Sequence, residues 1–321
     1  MNTKGLSINH QGRAGRRPIT LVLLITFAAA LQAPLSCNAL DPEPRRWSHL
    51  PIDENYLTLA LVKTNADIYF NPTLLLEDVE QHLDTQAAQY VRTFEWMNKS
   101  YRFELLQAHQ SAKWAGLLDG IAATTAREGA SDTFVRVAMN LYGAPPLRGE
   151  AFREYRASET TETIVGVALN ARLPTGHYQK DRLLNLGQNR FVLRPQLGVV
   201  HSRRQWSVEL TGEIALHGEN DEFVRSNTLK QRPLYILHSH LIYAFSAGQW
   251  VSISLGFDYG GENQLNGIAQ DDKQQNVGWK LSYAHPLTPT LGLKASYLGS
   301  QTRRQTGLDS ETFALSVSFT W

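Results

Sequence analysis

A chain of 321 residues with 42% hydrophobic and 19% charged side chains can form one large domain or two ordinary ones, and is composed like neither a disordered chain nor a bundle of membrane helices. A formal net charge of +1 offers no basic surplus for a nucleic-acid backbone, so nucleic acid is not an expected partner. A single cysteine, Cys37, rules out a disulfide framework within the chain.

In chain order, Lys4, Arg13, Arg16 and Arg17 precede the apolar run from Ile19 to Leu31. That run is shorter than the roughly 20 residues that span a bilayer, so it reads as a secretory signal peptide. Cys37 and Ala39 form a small-x-small site that places the cut after Ala39, with Ala33 or Cys37 marking alternatives. The stretch Pro34 to Cys37 loosely resembles a lipoprotein box, which its leading proline fits poorly. The expected organisation is a signal peptide over 1–39, a periplasmic N-terminal segment over 40–55 and a barrel over 56–321. Loss of four basic residues leaves 27 Lys plus Arg against 30 Asp plus Glu, a formal charge of −3, with no cysteine for disulfide or thiolate chemistry. Beyond Leu40 the longest clear apolar run is Ile164 to Leu169, too short for a membrane helix.

Period-two alternation then recurs to the end of the chain. Val251, Ile253, Leu255, Phe257 and Tyr259 alternate with Ser252, Ser254, Gly256 and Asp258, the mark of a strand with one apolar face. The same reading predicts twelve strands, near 56–69, 86–97, 100–115, 131–143, 161–173, 189–201, 205–217, 234–245, 249–260, 275–285, 290–301 and 311–321. Short turns at Asn98-Lys99, Ser202 to Arg204, Ser246 to Gly248 and Pro286 to Pro289 alternate with long polar loops at 70–85, 116–130, 174–188, 218–233, 261–274 and 302–310. The connection 144–160, with Pro145-Pro146, breaks the rule by being long where a short turn is due.

An all-β, up-and-down antiparallel transmembrane barrel in a bacterial outer membrane accommodates these features, with both termini periplasmic. A soluble secreted β-sandwich is the competing fold, but it leaves the turn asymmetry and the terminal aromatic unexplained. Trp206, Trp250, Tyr243, Phe245, Tyr283 and Trp321 lie beside short turns or the C-terminus, as an interfacial aromatic girdle would. The last stretch, Phe313 to Trp321, would be an exposed sticky edge in a soluble domain. In a barrel, Phe319 and Trp321 face lipid, the last strand closes on the first, and these residues serve as the signal read by the barrel-assembly machinery. Outer-membrane lipid and that machinery are the expected macromolecular partners.

The runs Trp47 to Tyr56, Ala130 to Thr133, Asn140 to Pro145, Leu173 to Tyr178, Asn185 to Arg190, Arg194-Pro195, Arg232 to Tyr235 and Asp258 to Gly261 together resemble the MetA-pathway of phenol degradation family of outer-membrane proteins. The likeness covers nearly the whole mature chain, with Gly129 to Asp132 departing slightly from the turn more usual in the family. It implies an outer-membrane barrel of the transporter type, for small solutes that include aromatic or hydrophobic compounds.

If apolar side chains face lipid, their neighbours Arg102, Arg136, Arg172, Arg194, Lys280 and Lys294 face the lumen with Glu104, Glu209, Glu213 and Asp258. Two readings stand: a salt-bridged hydrated interior, or a basic eyelet for carboxylates or phenolates, in which Arg136, Arg172 and Arg194 form a ladder if they fall at similar depth. His238 and His240 share a strand face, with Glu213 and His217 expected nearby; this is a hydrogen-bonded cluster or a zinc-type site, and no bound metal or cofactor is expected. No Gly-x-Ser-x-Gly elbow occurs and these histidines point away from lipid, so no catalytic residues are assigned and an outer-membrane lipase is disfavoured. A passive channel for small solutes is the expected function, and a closed structural or adhesive barrel is the alternative.

Overall fold

A computed structural model describes residues 42–70, 76–224 and 226–321; the expected signal peptide and Cys37 lie outside them. Twelve antiparallel crossings close into a barrel, the fourth of them broken into two strands. In chain order these are β1 (Asn55–Tyr69), β2 (Leu76–Trp96), β3 (Lys99–Leu118), β4 (Ile121–Ala130) with β5 (Thr133–Tyr142), and β6 (Thr161–Leu173). They continue as β7 (Val192–Arg203) and β8 (Trp206–His217). Between the later crossings, short strands β9 (Asn220–Phe223), β10 (Asn227–Gln231), β13 (Asn263–Leu265) and β14 (Ile268–Ala269) form a second sheet. The barrel itself resumes with β11 (Leu234–Ser246), β12 (Gln249–Gly260), β15 (Gln274–Thr288), β16 (Leu291–Thr302) and β17 (Gly307–Thr320).

Closure joins β1 to β17 from Tyr56 opposite Thr320 to Tyr69 opposite Gly307. The amide of Asn55 donates to the Trp321 carbonyl at 2.9 Å, and that of Trp321 to the Asn55 carbonyl at 3.1 Å. No edge is left at the seam, and Phe319 and Trp321 point outward. The outward positions of each crossing are large and apolar: Ile253 is 58% exposed, Leu255 55% and Leu197 59%. On β12 they run from Val251 to Tyr259, about 27 Å along the strand and about 20 Å along the membrane normal once tilt is included, close to the apolar band of an outer-membrane barrel. Trp250 does not join the girdle. It lies on the opposite parity to Val251 and is buried in the bore beside Ile242 and Ala284.

The tight turns at Met97-Asn98, Arg204-Gln205, Ala247-Gly248 and Pro289-Thr290 share one rim with the start of β1 and the end of β17. Met97 and Asn98 take φ of 51° and 56°, the pair of left-handed residues that a two-residue hairpin requires. The long connection at this rim carries helix α1 (Gly149–Ser158).

At the other rim the expected loops 70–85 and 116–130 are largely strand. β2 begins at Leu76, β3 runs to Leu118 and β4 fills 121–130, so this wall stands well above the lipid. The reason is a reversed alternation. Glu80, His82 and Asp84 on β2 face outward, while Val79 and Leu83, with Ala112 and Trp114 of β3, are buried inside. The expected loops 218–233 and 261–274 likewise supply the second sheet, whose core is Phe223, Leu229 and Leu265.

Candidate functional site: the occupied bore

Residues 42–54 fold back from the short-turn rim into the bore, centred on Trp47, which is 1% exposed. Its indole Nε1 donates to Thr211 Oγ1 of β8 at 2.8 Å, satisfying the one polar atom of a ring otherwise packed on Ala138, Ile164, Ala168 and Val200. The Arg136 guanidinium lies over the ring at 5.0 Å. Two glycines make the seat. A Cβ on Gly166 would come 2.4 Å from the ring and one on Gly198 2.0 Å from it. Nothing periodic marks this segment, and the partner of Trp47 is 164 residues away, so strand-pattern reasoning passes over it.

Ionic contacts fix the rest of the segment. Glu43 binds Lys280 of β15 at 3.0 Å and Lys294 of β16. Burial works against its charged form, but the two ammonium groups outweigh it and hold the carboxyl well below the ordinary carboxylate range. Arg102 donates to the carbonyls of Arg46 and Ser48 at 3.0 and 3.1 Å, and the Arg46 amide donates to Glu209 at 3.2 Å. At the rim, His49 is wedged edge-on between Phe152 and Tyr155 of α1. Its Nδ1 contacts Glu162 at 2.9 Å and its Nε2 the Pro145 carbonyl at 2.8 Å, so helix and segment hold one another.

The basic residues singled out by parity all face the bore, each beside a carboxylate, with Glu104 shared by Arg102 and Arg136 and Glu43 by Lys280 and Lys294. Arg136 binds Glu104 and Gln196, Arg172 binds Asp132 at 2.7 Å, and Arg194 binds Glu213. Register puts Arg136, Asn170 and Arg194 at one level, and Arg172 one inward position nearer the long-loop rim. The ladder is therefore a set of paired charges. Lys280 and Lys294 meet at Glu43. His240 Nδ1 contacts Ser254 Oγ at 2.8 Å, and the two imidazoles of His238 and His240 lie 6.3 Å apart. The carboxylate opposite His240 is Glu209; Glu213, expected beside the histidines, sits opposite Ile236. Among the described residues no three metal-capable side chains converge.

Toward the long-loop rim the bore turns apolar. Ile68, Val79, Leu83, Ala112 and Trp114 form a buried inner wall against Leu186, which the loop 174–191 carries into the bore. Asp132, fully buried at the break between β4 and β5, ties that loop down. It accepts from Arg172 Nε and from the amides of Gly176 and Gln188, each at 2.9 Å for the amides. Above it, Leu183 packs under the second sheet.

A sequence profile of the family described as "Putative MetA-pathway of phenol degradation" matches residues 68–319. An outer membrane channel from Pseudomonas putida F1 is similar in structure, with TM-score 0.72 and 19% identity over 87% of this chain and 99% of that one. The transport unit of the autotransporter AIDA-I from Escherichia coli follows at TM-score 0.48 and 9% identity, over 82% of this chain and 89% of that one. No curated protein matches the chain in sequence.

Proposed function

The chain belongs to the MetA-pathway of phenol degradation family, and from that premise we propose that it is a passive outer-membrane channel for small, weakly soluble organic compounds, aromatic ones among them. The observation that carries this reading is the apolar lining of the outer half of the bore, where Ile68, Val79, Leu83 and Trp114 face inward. A bore for sugars or ions keeps that surface polar and hydrated. These side chains pack on one another and on Leu186, so a ring or alkyl chain passing among them meets apolar neighbours and gains roughly 25 cal/mol per Å² of its own apolar surface taken from water. A strain lacking the protein should take up phenol and related monoaromatic compounds more slowly, with glucose uptake unchanged and the defect reversed by the restored gene. Unchanged uptake of every aromatic compound tested would overturn the proposal.

A second reading, a closed structural barrel, draws support from the segment seated in the inner half and the packed loops over the outer half. Single-channel recording separates the two: a channel conducts in planar bilayers, and a closed barrel leaves the baseline flat.

A further inference from the structure

The seated segment leaves a cavity of about 400 Å³ on one side of it, within the usual size of small-molecule sites. The cavity lies against β1 to β3, β12 and β15 to β17 and reaches the short turns at Gly248 and Thr290. Its wall is apolar at Leu50, Tyr56, Val91, Trp250 and Ala284. Its charged lining is unbalanced: Arg45, Arg46, Arg102 and Lys294 face Glu43 and Glu104. Both carboxylates are already engaged, Glu43 by the two lysines and Glu104 by Arg136 and Arg102. Arg45 and Arg46 have no carboxylate at ion-pair distance among the described residues. Among the described residues the Arg45 side chain donates only to Ser48 Oγ, at 3.4 Å, and it lies over the Trp250 ring at 5.5 Å. Burial first, then the nearby Arg156 and Arg102, lowers its guanidinium from its usual range, and the Glu209 carboxylate only partly offsets them.

We infer that this cavity binds a small organic carboxylate, with the charged head on Arg45 and Arg46 and one ring or a short alkyl body on Trp250, Val91 and Leu50. Guanidinium groups suit a carboxylate because the planar fork matches its two oxygens, and Trp250 already presents a flat apolar face beside that fork. The inference rests on the channel reading for the route of the solute, and deepens it by naming a charged head group at the inner mouth.

Titration calorimetry of the full chain in lipid nanodiscs tests it, using 4-phenylbutyrate and its neutral amide as probes and empty nanodiscs as the blank. At pH 7 the acid should bind at least tenfold more tightly than the amide. In the double variant Arg45→Gln, Arg46→Gln the acid should fall to the level of the amide, with amide binding unchanged. Equal affinities on the unaltered chain would overturn the site whatever the variant does, and so would a double variant that keeps the preference for acid. Acid preference without any solute flux in liposomes would leave the site standing and remove the channel; flux without that preference would do the reverse.

Discussion

Replacing Gly198 by alanine adds one methyl group at the seat of Trp47. The new Cβ would lie 2.0 Å from the indole Nε1 and Cε2, whereas carbon atoms rest about 3.5–4.0 Å apart, so the ring must retreat by roughly 1.5 Å. A retreat of that size stretches the 2.8 Å bond to Thr211 beyond hydrogen-bond range, costing about 1 kcal/mol. Overpacking against Val200 and Ile164 adds about 1–3 kcal/mol. A total near 3 kcal/mol shifts the balance between seated and unseated segment by roughly 150-fold. The strand itself accepts alanine, so the barrel should assemble normally, run as a heat-modifiable band, and conduct more in planar bilayers than the unaltered protein. Trypsin added from the periplasmic side should cut at Arg45 or Arg46. Gly212→Ala is the control, because nothing lies within 4 Å of its added Cβ. Wild-type conductance and trypsin resistance in Gly198→Ala would refute the account of how Trp47 holds the segment.

Glu43→Gln removes the shared partner of Lys280 and Lys294 and should raise conductance several-fold at both pH 7 and pH 5. In the unaltered protein the Glu43 carboxyl is depressed, so its contribution is full above the ordinary carboxylate pKa and fades only as pH falls through the much lower seated value; conductance at pH 5 should equal that at pH 7. Asp132→Ala removes the carboxylate that Arg172 and two loop amides donate to, a loss of about 3–5 kcal/mol. The loop 174–191 should then become protease-sensitive on intact cells, measured by fragment sizes in a blot. Deleting Phe319 to Trp321 removes both Asn55–Trp321 bonds and the last apolar outward positions, and should leave secreted protein that fails to reach the heat-modifiable form.

The lipid-crossing parts of the barrel are legible because one physical rule acts on all of them: lipid outside and a polar bore inside force alternation, and Gly, Asn or Asp mark the turns. Residues 249–260 and 161–173 end where the pattern ends for that reason. The rule lapses above the lipid. There Glu80, His82 and Asp84 meet water outside while Val79 and Leu83 meet other apolar side chains inside, so a polar stretch that reads as loop is a strand. Parity places Arg136, Arg172 and Arg194 in the bore, yet it cannot supply Glu104, Asp132 and Glu213 as their individual partners, which depends on register between strands. Trp250 next to a turn resembles a girdle residue until its parity is weighed against Val251. Trp47 and Glu43 are the hardest to find, since everything they touch is far along the chain.

The segment in the bore is also a ligand on a short leash. Only seven residues separate Trp47 from Asn55, which the seam bonds hold to Trp321. A displaced Trp47 therefore stays within about 25–30 Å of the anchored Asn55, at an effective concentration in the millimolar range, and cannot be diluted away. Each departure is followed by rapid recapture. Current through single molecules should accordingly arrive as brief flickers whose frequency, more than their amplitude, reports how firmly the seat is held.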